Sequence, residues 1–452
     1  MLYALGVIAF ALGLLGSIAL HEIGHMVPAK KFGVRVTQYM VGFGPTIWSK
    51  RKGETEYGVK AIPMGGYIRM IGMVPPGKDK QSRWPRRMAE LVEEFRATSR
   101  AEVEPGQEHR QFYRLTPGKK MIIMLGGPTM NLLIFIFITV LLYGLIGVKG
   151  PTTTVASVSK CVVPVTSTAT DCPAAGSAGY VAAPANGRLV AGDVIESING
   201  TRISHWSQSV TIIEASAGKT LTVRVQRAGA PVTLTITPVQ TTKYANDQGT
   251  KTKQAGFIGI STTQDYQRLG VAGISRVIWK QMSLGVDALK QFPSKISSLV
   301  GTVFEGKPRD AQGAVGVVGL GRIGGQIADS HQISTLDKIS SLLSLLAGVN
   351  LLLFFFNLLP LLPLDGGHVA GALVESVRRG WARLRLRVGG HDAVTVGPDG
   401  KPVDEPTGQS PRPQIFVDVA QLVPVMYVVA GILIVFSVLV MYADIVKPIT
   451  LN

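Results

Sequence analysis

The chain has 452 residues, with 46 Lys+Arg against 29 Asp+Glu for a formal net charge of +17, and its mean hydropathy is +0.27. That length is too great for one ordinary core, and that hydropathy is high for a soluble protein. The positive balance would suit nucleic acid, yet no nucleic-acid-binding module accompanies it, so no nucleic-acid partner is expected.

Leu2 to Leu20, Met121 to Val148, Ile339 to Leu364 and Val423 to Tyr442 are nearly unbroken apolar runs. Each covers the roughly 20 residues that a membrane-crossing helix needs. Four transmembrane helices are expected, over 1–28, 121–148, 336–368 and 421–445. The first reads as a retained helix and not as a cleaved signal peptide. Met1 to Gly16 contains no Lys or Arg, and the run ends in His21 and Glu22 where a signal peptide has small residues. Basic residues sit after the first span (Lys30, Lys31, Arg35), before the second (Arg110, Arg114, Lys119, Lys120) and after the third (Arg378, Arg379, Arg383, Arg385, Arg387). By the positive-inside rule those flanks face the cytoplasm. Both termini and the long segment between spans two and three then lie outside the cytoplasm.

Between spans one and two, over 29–120, Val34 to Ile47 and Glu56 to Met70 carry β-branched and aromatic residues around a Lys52-Gly53-Glu54 turn. They read as a membrane-associated β-hairpin. Its backbone groups must be shielded by protein wherever it dips into lipid. Trp84 to Arg100 reads as a charged helical insert with a solvated face. Residues 150–240 read as a compact β-rich domain. Leu189 to Ile203 holds a strand with a Gly192-Asp193 turn and an Asn199-Gly200 turn, and alternation resumes from Leu221 and from Val232. The only two cysteines, Cys161 and Cys172, fall there; oxidising surroundings favour a disulfide between them, the alternative being two small buried hydrophobes. An amphipathic and glycine-rich segment follows over 241–335. Its Gly319-x-Gly321-x-x-Gly324 imitates a dinucleotide fingerprint, but no βαβ unit and no acidic residue about 20 positions on accompany it. Close backbone packing against the membrane surface is the expected use of these glycines. Residues 369–420 read as a basic cytoplasmic loop.

Two motifs more than three hundred residues apart carry the chemistry. His21-Glu22-Ile23-Gly24-His25 ends the first apolar run. Residues four apart share a helix face, so both imidazoles can reach one ion, with Glu22 beside them to take a proton from an attacking water. Asn357-x-x-Pro360-x-x-Pro363-x-Asp365-Gly366-Gly367-His368 ends the third. Ionisable groups in such places are costly and default to function. A catalytic zinc site takes three protein ligands and an open position. Asp365 is the expected third ligand because its span should return to the cytoplasmic side, where His25 lies; His368 ranks second. Asn357 and Asn131 are candidate substrate-side donors, with interhelical hydrogen bonding as the competing role. Pro360 and Pro363 break the third span and expose backbone that can hold an unwound substrate.

These motifs, with Gly42-Phe43-Gly44-Pro45, Gly65-Gly66-Tyr67-Ile68-Arg69 and Gly126-Gly127-Pro128-x-x-Asn131, resemble the site-2 protease family of intramembrane zinc metalloproteases, and within it the RseP-like bacterial members. The Gly192-Asp193…Asn199-Gly200 pattern resembles the PDZ domains of bacterial proteases. The chain departs from RseP in having one recognisable PDZ domain and a long cytoplasmic insert. The resemblance implies His21, His25 and Asp365 as zinc ligands, one Zn2+ per chain, and Glu22 as the acid/base. It implies single-pass membrane substrates such as anti-sigma factors, first trimmed outside by a site-1-type protease, and a bacterial inner-membrane location. The expected fold is a polytopic α-helical membrane protein with a membrane-associated β-hairpin and an extracytoplasmic PDZ-like domain. The alternative is a non-catalytic membrane scaffold with a structural or vestigial metal site, although such a site has no need of Glu22.

Overall fold

Uncharged apolar runs become helices here, and the chain breaks where Gly and Pro accumulate. The computed structural model describes residues 1–75, 85–163, 172–174, 176–177, 180–245, 252–305, 309, 313–388 and 418–448. Trp84, residues 389–417 of the expected basic loop, and the side chains of Arg383, Arg385 and Arg387 lie outside the described residues. The first elements are α1 (Leu2–Lys31), β1 (Val36–Lys52), β2 (Thr55–Met70), α2 (Arg86–Ala101) and α3 (Pro117–Val140), which a π-helical stretch continues over Leu141–Ile146. Then come β3 (Val148–Val158), β4 (Val194–Ile198), β5 (Thr201–Arg202), α4 (Trp206–Glu214), β6 (Leu221–Arg227), β7 (Ala230–Ile236), β8 (Val239–Tyr244), β9 (Thr252–Phe257) and β10 (Ile260–Gln267). The last are α5 (Val271–Phe304), α6 (Val317–Asp329), α7 (Thr335–Asn357), α8 (Asp365–Val388) and α9 (Val423–Val446). The chain divides into a helical unit, Met1–Leu142 with the residues from Val271 onward, and a β unit, Tyr143–Gly270.

Four helices are long and apolar enough to cross a membrane: Leu2–Lys31, Pro117–Ile146, Thr335–Asn357 and Val419–Val446. Lipid gives apolar helices no hydrophobic reason to associate, so small residues that admit close backbones decide the packing. Gly13 lets Leu346 of α7 approach α1, and Asn350 of α7 donates to Ser17 Oγ at 2.9 Å. The glycine-rich segment forms helix α6, whose glycines pack closely against α1. Gly324 lies against Phe10 and Gly6, and Gly325 under the Tyr3 ring. The start of α6 is capped by buried Asp444 of α9, which accepts from the Gly316 and Gly319 amides at 2.9 and 2.8 Å and from Arg309 at 2.6 Å. A carboxylate at a helix N-terminus satisfies orphan amides, which explains glycines where a dinucleotide fingerprint seemed to stand. Helix α5 packs on α7 and α9 through Phe292, whose ring stands edge-on to Phe356 and Phe436 at 4.9 and 5.4 Å.

Two expectations are corrected. Asp365 does not end the third span. Helix α7 stops at Asn357, an irregular segment carries Pro360 and Pro363, and Asp365 is the first residue of a new helix, α8. Prolines cannot donate to a helical ladder, and Gly366 and Gly367 let the start of α8 tuck under that segment. A Cβ on Gly367 would sit 2.7 Å from Leu362 N. Consequently 369–388 is helix and not loop. A buried ion pair anchors it: Lys120 of α3 donates to Glu375 at 2.8 Å, and Arg379 reaches the same carboxylate at 2.6 Å.

The hairpin of β1 and β2 curls on itself. Gln38–Val41 lies opposite both Glu56–Val59 and Gly66–Arg69, while Trp48–Lys52 pairs with Thr55–Val59. The β unit has the sheet order β10-β3-β4-β6-β7, with β5 beside β4 and a separate β8-β9 pair. It extends beyond the 150–240 boundary expected from sequence because β10 returns to pair with β3, from Ile260 opposite Val158 to Gln267 opposite Val148. Leu221, Val223 and Val225 alternate into a core with Ile195, Ile198, Ile213 and Ile236. Asn199 and Gly200 both take positive φ, 50° and 79°, as a tight two-residue hairpin turn requires. Cys161 and Cys172 are joined in a disulfide. Fully buried Asp193 accepts from Arg227 Nε and Nη2, each at 2.8 Å, and from the Val190 amide at 2.9 Å.

The Arg227 guanidinium holds the Asp193 carboxyl below its usual range. A lowered folded pKa gives stability that is present above the ordinary carboxylate value of about 3.9 and lost as pH falls through the folded one. Arg227→Ala should therefore lower the melting temperature at neutral pH and flatten its fall on the acid side. Thermal unfolding followed by circular dichroism across the acid range reads both.

Candidate metal centre

Helix α1, which ends at Lys31, carries His21, Glu22 and His25 in its C-terminal half, on the side facing α3 and α8. The approach of α1 to α3 is made by glycines. A Cβ on Gly24 would overlap the Gly126 carbonyl, and one on Gly126 would overlap the Gly24 carbonyl. The two backbones are thus in contact at the level of the motif. Gly127 leaves the space that the imidazoles fill, since its Cβ would overlap His25 Nε2 and stand 2.7 Å from His21 Nε2. The Gly126-Gly127 pair is a cradle for the two histidines.

His21 Nε2 and His25 Nε2 are 3.2 Å apart, and each is 3.3 Å from Asp365 Oδ2. One donor atom from each residue lies within 4.8 Å of the others. His25 Nδ1 is 2.7 Å from the Ile123 carbonyl. A carbonyl only accepts, so Nδ1 carries the proton and Nε2 presents its lone pair. On His21, Nδ1 lies 3.2 Å from the Asn131 amide, whose Oδ1 is buried with no partner. The nitrogen and oxygen of an amide are nearly the same size and shape, so the group fits either way round. Turned over, Asn131 accepts from His21 Nδ1–H, which satisfies the orphan oxygen and frees Nε2. Asp365 Oδ2 is itself buried without a hydrogen-bond donor. Three lone pairs facing one another repel unless a cation sits between them, and two nitrogens with one carboxylate oxygen suit zinc.

Glu22 is buried beside this triad. Gly66 of β2 lies close enough that a Cβ there would be 3.1 Å from Glu22 Cγ. Tyr39 of β1 donates to the Ala19 carbonyl at 2.8 Å, tying the hairpin to α1.

A model of peptidase family M50 matches residues 9–390. The chain belongs to this family. It is a zinc metalloprotease of the site-2 type. It is 31% identical over 465 residues to zinc metalloprotease Rip1 of Mycobacterium tuberculosis, covering all of both chains. It is 26% identical to zinc metalloprotease RasP of Geobacillus kaustophilus, over 79% of this chain and 86% of that one. With the regulator of sigma-W protease RasP of Bacillus subtilis it shares 24% identity over 82% of this chain and 90% of the other.

The structure brings His21, His25, Asp365 and Glu22 together. His368 is not among the converging donors; it lines a small cavity with Tyr113, Lys120 and Glu375. Asn131 reaches the outer nitrogen of His21 and does not face open space. Asn357, at the end of α7, is half-buried, and Pro360 is exposed. The carbonyl of Ile123 is a contact of His25 that no side-chain pattern could signal. Gly127→Ala should drive a methyl group into both imidazoles. Metal analysis of the purified variant should show zinc falling from about one per chain towards none, while the wild type keeps it.

Proposed function

We propose that His21, His25 and Asp365 hold the zinc and that Glu22 is the acid/base of an intramembrane protease acting on single-pass membrane proteins. The observation that carries this is the convergence of three metal-binding atoms from α1 and α8 beside a buried carboxylate that ligates nothing. Zinc bound there lowers the pKa of a water and polarises a carbonyl. The Glu22 carboxylate takes a proton from the attacking water and returns it to the leaving nitrogen. Gly66 of β2 packs against the Glu22 side chain, and Ile123 and Asn131 orient the two imidazoles.

A substrate helix hides its amides in its own hydrogen bonds, so cleavage requires local unwinding. The Gly66–Met70 arm of β2, next to Glu22, is suited to pair with the opened strand. Asn357 and Pro360 border the break between α7 and α8 and bind the substrate backbone there. Asn131 acts on His21 in preference to the substrate. The basic flanks orient the chain with both termini and the β unit outside the cytoplasm of a bacterial inner membrane. The β unit acts as a PDZ-like filter that admits substrates already shortened by a site-1-type protease. The name of the Bacillus relative, a regulator of sigma-W, supports anti-sigma factors as the substrate class.

Glu22→Ala should keep its zinc while cleavage of a reconstituted single-pass substrate falls by about 10²–10⁴-fold. Undiminished cleavage would remove Glu22 from the mechanism. Replacing residues 143–270 with a flexible linker should permit cleavage of untrimmed substrate, and continued refusal would rule out the filter.

A further inference from the structure

Helix α2 has one covered side and, beside it, an apolar stripe that is uncovered. Ala89, Val92, Arg96 and Ser99 recur at helical spacing. On that side Val92 is buried with Val74, Ala420 and Val423 at the start of α9, and Arg96 pairs with Asp418. The neighbouring stripe, Met88, Leu91 and Phe95, is exposed to 38%, 44% and 36%. The remaining face carries Arg86, Glu90, Glu93, Glu94 and Arg100, paired among themselves as Arg86–Glu90 and Arg100–Glu93.

We propose that α2 lies in the membrane interface, with Met88, Leu91 and Phe95 seated in the lipid at the leaflet where α9 enters. The occupant follows from depth. Helix α9 is a membrane span, and its first turn supplies the residues on which Val92 packs. That contact fixes α2 at the boundary where the apolar run of α9 begins. Leu422, just before α9, and Val425 in its first turn are exposed there too, so the uncovered stripe of α2 lies at the level where the apolar surface of α9 begins. A helix with one apolar arc and a charged opposite face is the form that lies in an interface and does not cross it.

The position of α2 bears on the catalytic hairpin. Just beyond its end, Glu102 accepts from Arg69 of β2 at 2.6 Å, and Glu104 accepts from both Arg35 guanidinium nitrogens at 2.5 and 2.9 Å. Arg69 lies on the Gly66–Met70 arm of β2, which passes beside Glu22. A lipid-seated α2 therefore restrains the arm of β2 that positions the general base.

The two cysteines are joined in a disulfide, so one introduced cysteine can be labelled selectively in the full-length chain. Leu91→Cys and Glu94→Cys carry a bimane probe and are placed in nanodiscs of phosphatidylcholine and phosphatidylglycerol. The expected result is that a nitroxide on the upper acyl chain quenches the Leu91 probe strongly and the Glu94 probe weakly, while aqueous iodide does the reverse, each by several-fold. Equal iodide access at the two positions would overturn the proposal. So would a Leu91 probe shielded from both quenchers, which would mean that protein covers the stripe. Zinc content measured on the same samples confirms that each labelled chain retains its folded centre.

Discussion

The contact between the backbones of Gly24 and Gly126 is the constraint on which the site depends. In lipid, two apolar helices gain little by meeting unless their surfaces admit close approach. Here neither helix has a side chain at the crossing, so α1 and α3 touch main chain to main chain. That proximity brings the Ile123 carbonyl to His25 Nδ1 and the Asn131 amide to His21 Nδ1. Both rings are thereby turned so that their Nε2 atoms face the same point. A wider crossing would leave the same histidines on the same helix without a shared focus.

The third donor arrives by a different device. A continuous third span would carry Asp365 past the histidines. The break at Pro360 and Pro363 instead ends α7 early and starts α8 with Asp365 in its first turn, where the helix dipole favours a carboxylate. The buried Lys120–Glu375 pair then fastens α8 to α3, the helix that also cradles the histidines. Breaking such a pair by removing one partner is costly, because the other charge stays buried. Its value here lies in the registry of α8 against α3. The hairpin closes the arrangement from a third side, with Gly66 of β2 against the Glu22 side chain.

Much of this was legible in the residues. Four uninterrupted apolar runs give four candidate spans, and His21-Glu22-x-x-His25 at the end of one of them has little other use. The alternation of Leu221, Val223 and Val225 and the Asn199-Gly200 turn are local signals that survive folding unchanged. The limits were equally local. The prolines were legible as a break but not as a restart, because the restart depends on Gly366 and Gly367 fitting under carbonyls that only the folded chain supplies. The glycines of 316–325 imitate a nucleotide motif, but Gly316 and Gly319 serve Asp444, more than a hundred residues on, and Gly324 and Gly325 serve the packing of α1, partners that no spacing rule connects to them. The boundary of the β unit was set too early because a strand near residue 260 pairs with one near residue 150.

The most direct measurement is the zinc content of the purified full-length chain, wild type against Asp365→Ala. About one zinc per chain in the wild type, lost in the variant, is the predicted result for a centre assembled from α1 and α8. Zinc retained in full by the variant, or absent from folded wild type, would contradict it.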